Sequence, residues 1–349
     1  MTDQHPETGD ASQRSADESE AVTPAAPEAP ADESAEPLGP AKPTQDVLLA
    51  VDIGGTTIAA GLVTTKGDLI DRDRLEIDHH LNAEALFDQL VDMLQPLLDR
   101  AKQRQDARVR AIGIATAGPV SGDHEQISPV NVPAWRGFPL RQRLVTVLRL
   151  PVHIELEARA MALAEGWLGA AVGRENFVAL VVSTSLGGGV VLNGQLVDGA
   201  SGNAGHIGHI IVEPNGRRCS CGSRGCLESE ASGASIESIT GRPATEPSYE
   251  IMQRTGKLVG VAMASVCNLL DIDLVVCGGP VAFGFGATFF HSAQDALTEH
   301  SRLTFSRSAR IVQSRLGDKG PLVGAGAVAI RGLNRARRGQ SSHASVTSS

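Results

Sequence analysis

Val47-Leu-Leu-Ala-Val-Asp-Ile-Gly-Gly-Thr-Thr57 is the stretch on which the fold turns. Its apolar run is of strand length, too short for a helix, and it ends in a carboxylate followed by a glycine pair. Such a run reads as a buried strand entering a tight turn. The turn admits two uses. It can simply reverse the chain, or its backbone N–H groups can face phosphate oxygens while Asp52 holds a hydrated Mg²⁺. The same pattern recurs twice: Phe177 to Val182 enters Ser183-Thr-Ser-Leu-Gly-Gly-Gly189, and Leu274 to Cys277 enters Gly278-Gly279. Three strand-to-glycine turns in one chain favour the phosphate-binding use.

Around these turns the chain alternates strands with helices. Ile58 to Val63 reads as a second strand, with Lys66-Gly67-Asp68 as the hairpin turn behind it. Leu86, Leu90, Leu94, Leu97 and Leu98 recur at helical spacing, with Pro96 as a kink or restart. A strand at Val109 to Ile114 and a helix at Leu140 to Leu148 complete a first lobe, 46–150. A second, 151–317, opens at Pro151 to Glu155 and continues through a helix from Glu157, the two later glycine turns and a long helix ending near Leu270. A last helix, Leu322 to Leu333, returns to complete the first lobe from 318 to 333. Strands grouped in hairpins and alternating with helices predict two α/β lobes and not a single doubly wound sheet.

The ends differ from this middle. Residues 1–45 carry ten Asp and Glu against Arg14 and Lys42, so nearly all of the net charge of −9 resides there. That tail has almost nothing to bury and reads as disordered, as do residues 334–349. Arg335, Arg337 and Arg338 read as a solvated helix end. The remainder is electrically balanced, so no nucleic-acid surface is expected. The most apolar stretch, Leu258 to Leu270, is too short to cross a membrane, and the polar, acidic start lacks a secretory pattern. A cytoplasmic protein is the expectation.

Of the five cysteines, Cys219, Cys221 and Cys226 fall within eight residues, with His209 ten residues upstream of Cys219. A Cys₃His set is a closed tetrahedral zinc site, so the loop 209–226 is expected to hold a structural zinc.

Taken together, these residues resemble the ROK family (repressors, uncharacterised open reading frames and sugar kinases) over nearly all of Asp46 to Leu333. The resemblance implies an actin-like ATPase (ribonuclease H-like) fold, two lobes closing over ATP with Mg²⁺ and a sugar, a zinc-binding loop, and assembly as a homodimer or homotetramer. It assigns nucleotide contacts to Asp52, Gly54, Gly55, Thr56, Thr57, Thr184, Gly187, Gly188, Gly278 and Gly279, with Thr57 where lysine is frequent and Ser183 and Ser185 where glycines are usual. It assigns zinc to His209, Cys219, Cys221 and Cys226. Sugar contacts fall on Asn131, Gly199, His206, His209 and Glu228. His206-Ile-Gly-His209 is similar to bacterial N-acetylmannosamine kinases, where glucose-type members carry Glu-Ile-Gly-His.

One departure bears on chemistry. The family's Asn-Asp pair, whose aspartate takes the proton from the attacking sugar hydroxyl, corresponds here to Leu156-Glu157. Glu157 is a competent base and sugar contact, but its extra methylene moves the carboxylate by roughly 1 Å. Leu156 removes a polar partner for the sugar. The resemblance therefore implies an ATP-dependent kinase for a hexose or N-acetylhexosamine, its activity open to reduction. The alternative is a sugar-binding protein that kept the fold and lost the chemistry.

Overall fold

The computed structural model describes residues 45–104, 107–121 and 123–346. The expectation of disorder over 1–45 falls, except for Gln45, outside these residues. Gln45 itself opens a strand.

The first sheet starts with β1 (Gln45–Ile53), β2 (Thr57–Thr64) and β3 (Leu69–Glu76), an antiparallel meander. After helix α1 (Ala83–Arg104), β4 (Ala107–Thr116) returns beside β1 in parallel. Helix α2 (Leu140–Leu148) then leads to β5 (Val152–Leu156), parallel to β4 and at the sheet edge. Order is β3-β2-β1-β4-β5. The leucines at helical spacing put one face of α1 on this sheet: Leu86, Leu90, Leu94 and Leu97 are buried with Val47, Leu49 and Val51. Pro96 is accommodated inside the helix. Fully buried Trp135 closes the cluster, stacking on Phe138 at 5.4 Å and donating its indole N–H to Ala83 O at 3.2 Å.

The second sheet repeats the plan. After α3 (Glu157–Leu168) come β6 (Phe177–Val182), β7 (Leu186–Leu192) and the short β8 (Gln195–Leu196), again an antiparallel meander. Helices α4 (Leu227–Ala231), α5 (Gly233–Thr240) and α6 (Tyr249–Leu270) follow. Then β9 (Leu274–Gly278), α7 (Pro280–His300) and β10 (Arg310–Gln313) place two further parallel strands beside β6. The order β10-β9-β6-β7-β8 is that of the first sheet read from the opposite edge. Helices α6 and α7 pack together on one face, through residues such as Val259, Met263, Phe289 and Ala293. The last helix, α8 (Gly320–Val346), packs on β1, β4 and β5 and against α3.

Three readings need correction. Strand β5, read as opening the second series, pairs instead with β4 in the first sheet; a short strand carries no sequence mark of its distant partner. Helix α7 and β10 were not read at all. Gly284 and Gly286 blur the α7 periodicity, and Gly286, at φ 56° and ψ −141°, leaves helical geometry. Finally, α8 does not give way to a tail over 334–349 but runs through Val346. Its arginines and alanines are good helix formers, and Arg335 has a partner in the second lobe, Asp198.

Candidate active site

Asp52, Glu157, Ser183 and Gly279 stand where strands end. Asp52 is near the end of β1, Glu157 opens α3 directly after β5, Ser183 follows β6, and Gly279 caps α7 after β9. All four line one cavity of ≈ 660 Å³, with Phe283 and Arg315 also in its wall. Strands β1 and β6 hold equivalent positions in the two sheets, so each lobe contributes one turn to the same cleft. A crevice at the carboxyl ends of parallel strands is where open α/β sheets bind ligands.

The first turn is closed by Gly54, whose N–H donates to Thr57 O at 3.0 Å, while Thr56 O accepts from Ile77 N at 2.9 Å. A side chain at Gly55 would come within 2.8 Å of Asn131 Nδ2, so Asn131 rests against this turn. Asn131 also lines a separate cavity of ≈ 330 Å³ beside Ile77 and Asp78. In the second turn Ser183 N donates to Ser185 O at 2.9 Å, and the start of α5 braces it through Gly233 N to Ser183 O at 2.8 Å and Ala234 N to Thr184 O at 3.1 Å. Thr184 is exposed. Gly187 and Gly188 sit inside β7 and line no wall of the large cavity. Their missing side chains make room for Ala158 and Ile207. That is a packing reason for glycines read as phosphate contacts.

The third turn does face the cavity. Gly279, at φ 103°, lies so close to Val182 O that no Cβ fits, and it starts α7 with Pro280 in the first helical turn. A helix N-terminus offers unpaired N–H groups and a positive end to an anion. Gly278 is wedged between Met161 and Ser314.

The two carboxylates share an unfavourable setting. Burial pushes Asp52 up to about 7, and the charge of Glu157 adds to the shift. Burial likewise raises Glu157. Because the folded state holds the Asp52 proton more tightly than the unfolded chain, this contribution to stability is complete below the ordinary value of 3.8 and is lost as pH rises toward 7. At ~1.4 kcal/mol per pKa unit the full shift corresponds to ~4 kcal/mol, which solvent in the open cleft reduces to roughly 2 kcal/mol. We therefore expect Asp52→Asn, without added Mg²⁺, to raise the thermal midpoint by an increment that grows from pH 5 to pH 8. A pH-independent increment would contradict the assignment. Leu156, the N-cap residue of α3, offers no side-chain cap and instead packs toward Gly118 and the first core.

His209, Cys219, Cys221 and Cys226 bring their four donor atoms within 4.8 Å of one another. Cys221 Sγ and Cys226 Sγ lie 3.7 Å apart, and His209 Nδ1 and Cys219 Sγ 3.6 Å. A tetrahedron with Zn–S of ~2.3 Å and Zn–N of ~2.0–2.1 Å has edges of about 3.8 and 3.6 Å, so these two separations match those of a zinc tetrahedron. The loop is tied down independently: Glu230 accepts from Arg217 N at 2.6 Å and from Arg254 at 2.5 Å.

The remaining residues expected to contact a sugar, Gly199, His206, His209 and Glu228, do not line the large cavity. His206 and His209 stack with ring centroids 5.9 Å apart. Glu228 accepts from Leu186 N at 2.6 Å, which commits one carboxylate oxygen to holding β7 against the end of the cysteine loop. Burial raises Glu228, and that N–H opposes the shift. Gly199 adopts φ 74° in the loop before His206.

Sequence reasoning missed three features. The cavity wall from Gln313 to Asp318 lay in unassigned sequence. Glu165, fully buried, joins α3 to that wall through Ser314 Oγ. A network of Glu155, Arg159, Asp198, Arg331 and Arg335 spans both lobes. The i,i+4 spacing of Glu155 and Arg159 was the one available signal for it.

Among the described residues no helix is long and apolar enough to cross a membrane. Residues 48–331 match the ROK family. The glucokinase of Halalkalibacterium halodurans is 28% identical over 310 residues, covering 80% of this chain and 93% of that protein. The N-acetylmannosamine kinase of Haemophilus influenzae is 32% identical over 253 residues, covering 68% and 82% respectively. The ROK hexokinase structure from Thermus thermophilus superposes with a TM-score of 0.73 at 30% identity, covering 83% of this chain and 99% of that one. At that coverage the resemblance read from the motifs amounts to membership, and this chain belongs to the ROK family.

Proposed function

We propose that this chain is a sugar kinase that transfers the terminal phosphoryl group of ATP to a hydroxyl of a hexose or N-acetylhexosamine. One observation carries the reading: two carboxylates, Asp52 and Glu157, share a cavity that also receives the N-terminus of α7. A buried carboxylate held away from its charged form calls for a cation, and Asp52 beside the first turn is suited to Mg²⁺, which supplies charge neutralisation for the phosphates. The turn at Gly54 to Thr57, Ser183 with Thr184, and Gly279 would receive the phosphates, with Phe283 and Arg315 flanking the nucleotide. Glu157 would take the hydroxyl proton as that oxygen bonds to phosphorus and ADP departs. Zinc on His209, Cys219, Cys221 and Cys226 would be structural, since all four positions are protein ligands.

The names of the relatives, glucokinase and N-acetylmannosamine kinase, support the acceptor class, and His206 favours an acceptor suited to a donor-acceptor imidazole over a carboxylate. A second reading, binding without efficient transfer, draws support from the apolar packing of Leu156 beside the base. Phosphorylation of a panel of hexoses and N-acetylhexosamines, with ATP and polyphosphate as donors and binding measured in parallel, separates the two. Turnover of one acceptor supports the kinase; saturable binding with no turnover under either donor replaces it with the binding protein.

A further inference from the structure

The segment from Val197 to Ala204 has no regular secondary structure, and three glycines in or beside it, Gly199, Gly202 and Gly205, take positive φ. Such a segment has little of its own to hold it in one conformation. Backbone bonds hold its ends, Val197 N to Val190 O at 2.8 Å and Ala204 N to Asp198 O at 3.0 Å, and a single guanidinium reinforces them. Arg159, in the first turn of α3 and 1% exposed, uses all five of its N–H donors. Nε donates to Glu155 Oε1 at 2.7 Å, and Nη2 reaches Glu155 Oε2 at 3.2 Å and Asp198 Oδ1 at 2.8 Å. Nη1 donates to Val197 O and Ala204 O, both at 2.7 Å, so it pins the two ends of the loop to one planar group.

Helix α8 adds a second hold. Arg331 donates to Asp198 Oδ1 at 2.5 Å, to Glu155 Oε2 at 3.0 Å and to Leu196 O at 3.2 Å, while Arg335 pairs with the other Asp198 oxygen. Burial alone would raise Asp198, but Arg331 and Arg335 overcome it and hold the carboxyl down at about 2.

We propose that Arg159 is a positioning residue for the acceptor sugar: its guanidinium fixes the Val197–Ala204 loop and with it Gly199 and the neighbouring His206, and Arg331 and Arg335 of α8 lock the same loop through Asp198. The sugar part rests on the kinase reading, whereas the clamp does not. A lysine at 159 keeps the charge but brings three donors on a single nitrogen, which cannot serve two carbonyls and two carboxylates lying in one plane.

The test uses Arg159→Lys, Asp198→Asn and Arg335→Gln in the full chain. The last two alter side chains that are 35% and 54% exposed, where the fold tolerates change. Amide hydrogen exchange over 197–206 reads the clamp, and Michaelis constants for sugar and ATP read its consequence. In Arg159→Lys and Asp198→Asn, exchange in this loop should accelerate about tenfold and the sugar KM rise about tenfold, the scale of one lost charged hydrogen bond. ATP KM and kcat should stay within about twofold, and Arg335→Gln should show a smaller change in the same direction. Unchanged loop exchange overturns the proposal, as does faster exchange with unchanged sugar KM. So does a parallel rise of both Michaelis constants with a falling thermal midpoint, which marks general destabilisation. A wild type that turns over no sugar sinks the kinase reading, and the sugar arm is then read as affinity by calorimetry. A wild type that neither turns over nor binds sugar overturns both, and the exchange data still show whether the loop is clamped.

Discussion

Glu157→Gln is expected to lower kcat for sugar phosphorylation by ~10²-fold or more, the size of a lost general base, while sugar affinity stays within about twofold. Glutamine keeps the length and shape of the side chain and removes only its ability to accept the proton. The pH profile gives an independent check. Burial raises the Glu157 carboxyl, so the acid limb of kcat/KM in the wild type should lie above the ordinary glutamate range near 4.5. In Glu157→Gln the part of that limb set by Glu157 should disappear, leaving the part set by Asp52. Glu157→Asp draws the carboxylate back toward the backbone by roughly 1 Å, and with Leu156→Asn it restores a polar neighbour; the adjacent changes should be non-additive. Unaltered turnover in Glu157→Gln would show that the base is elsewhere.

The second large effect concerns the metal. Protein purified without chelators should contain about one zinc per chain, and Cys221→Ser should lose it, because three ligands do not close the tetrahedron. Zinc contributes about 10–16 kcal/mol to isolated finger peptides, but here much of the loop already rests on a formed core, so the loss of global stability should be only a few kcal/mol. Glu230, through Arg217 N and Arg254, should keep the base of the loop attached. Disorder should therefore concentrate between Arg218 and Arg224, with a falling thermal midpoint as the companion readout. Metal analysis finding no zinc in such a preparation would remove the site.

What the sequence made legible is what local chemistry encodes. The strand ending at Asp52, the leucine face of α1, the bounds of α2, the end of α6 and the cysteine cluster are all written in residues that are neighbours in the chain. The parallel pairing of β5 with β4 is not, since pairing register depends on a partner some forty residues away. Helix α7 was hidden because glycines interrupt its period at Gly284 and Gly286. The glycines at 187 and 188 have a packing role that the sequence did not reveal, for a related reason. A glycine needed where a helix crosses a strand looks, in sequence, the same as one needed where a phosphate approaches. The Arg159 network was invisible because its partners are far apart: Arg331 lies 133 residues beyond Asp198.

The return of α8 has a consequence for synthesis. Its side chains Ala325, Val328 and Ala329 cover Leu48, Ala50, Ala111 and Ala115, which lie on strands made first. On the ribosome, at roughly 5–20 residues per second, that face of the first sheet emerges long before its cover does. The first lobe therefore cannot finish folding as a nascent domain. It must either wait with one apolar face bare or borrow a temporary partner, and α3 shares that wait, since Ala160 is buried in the same cluster as Ala325 and Val328.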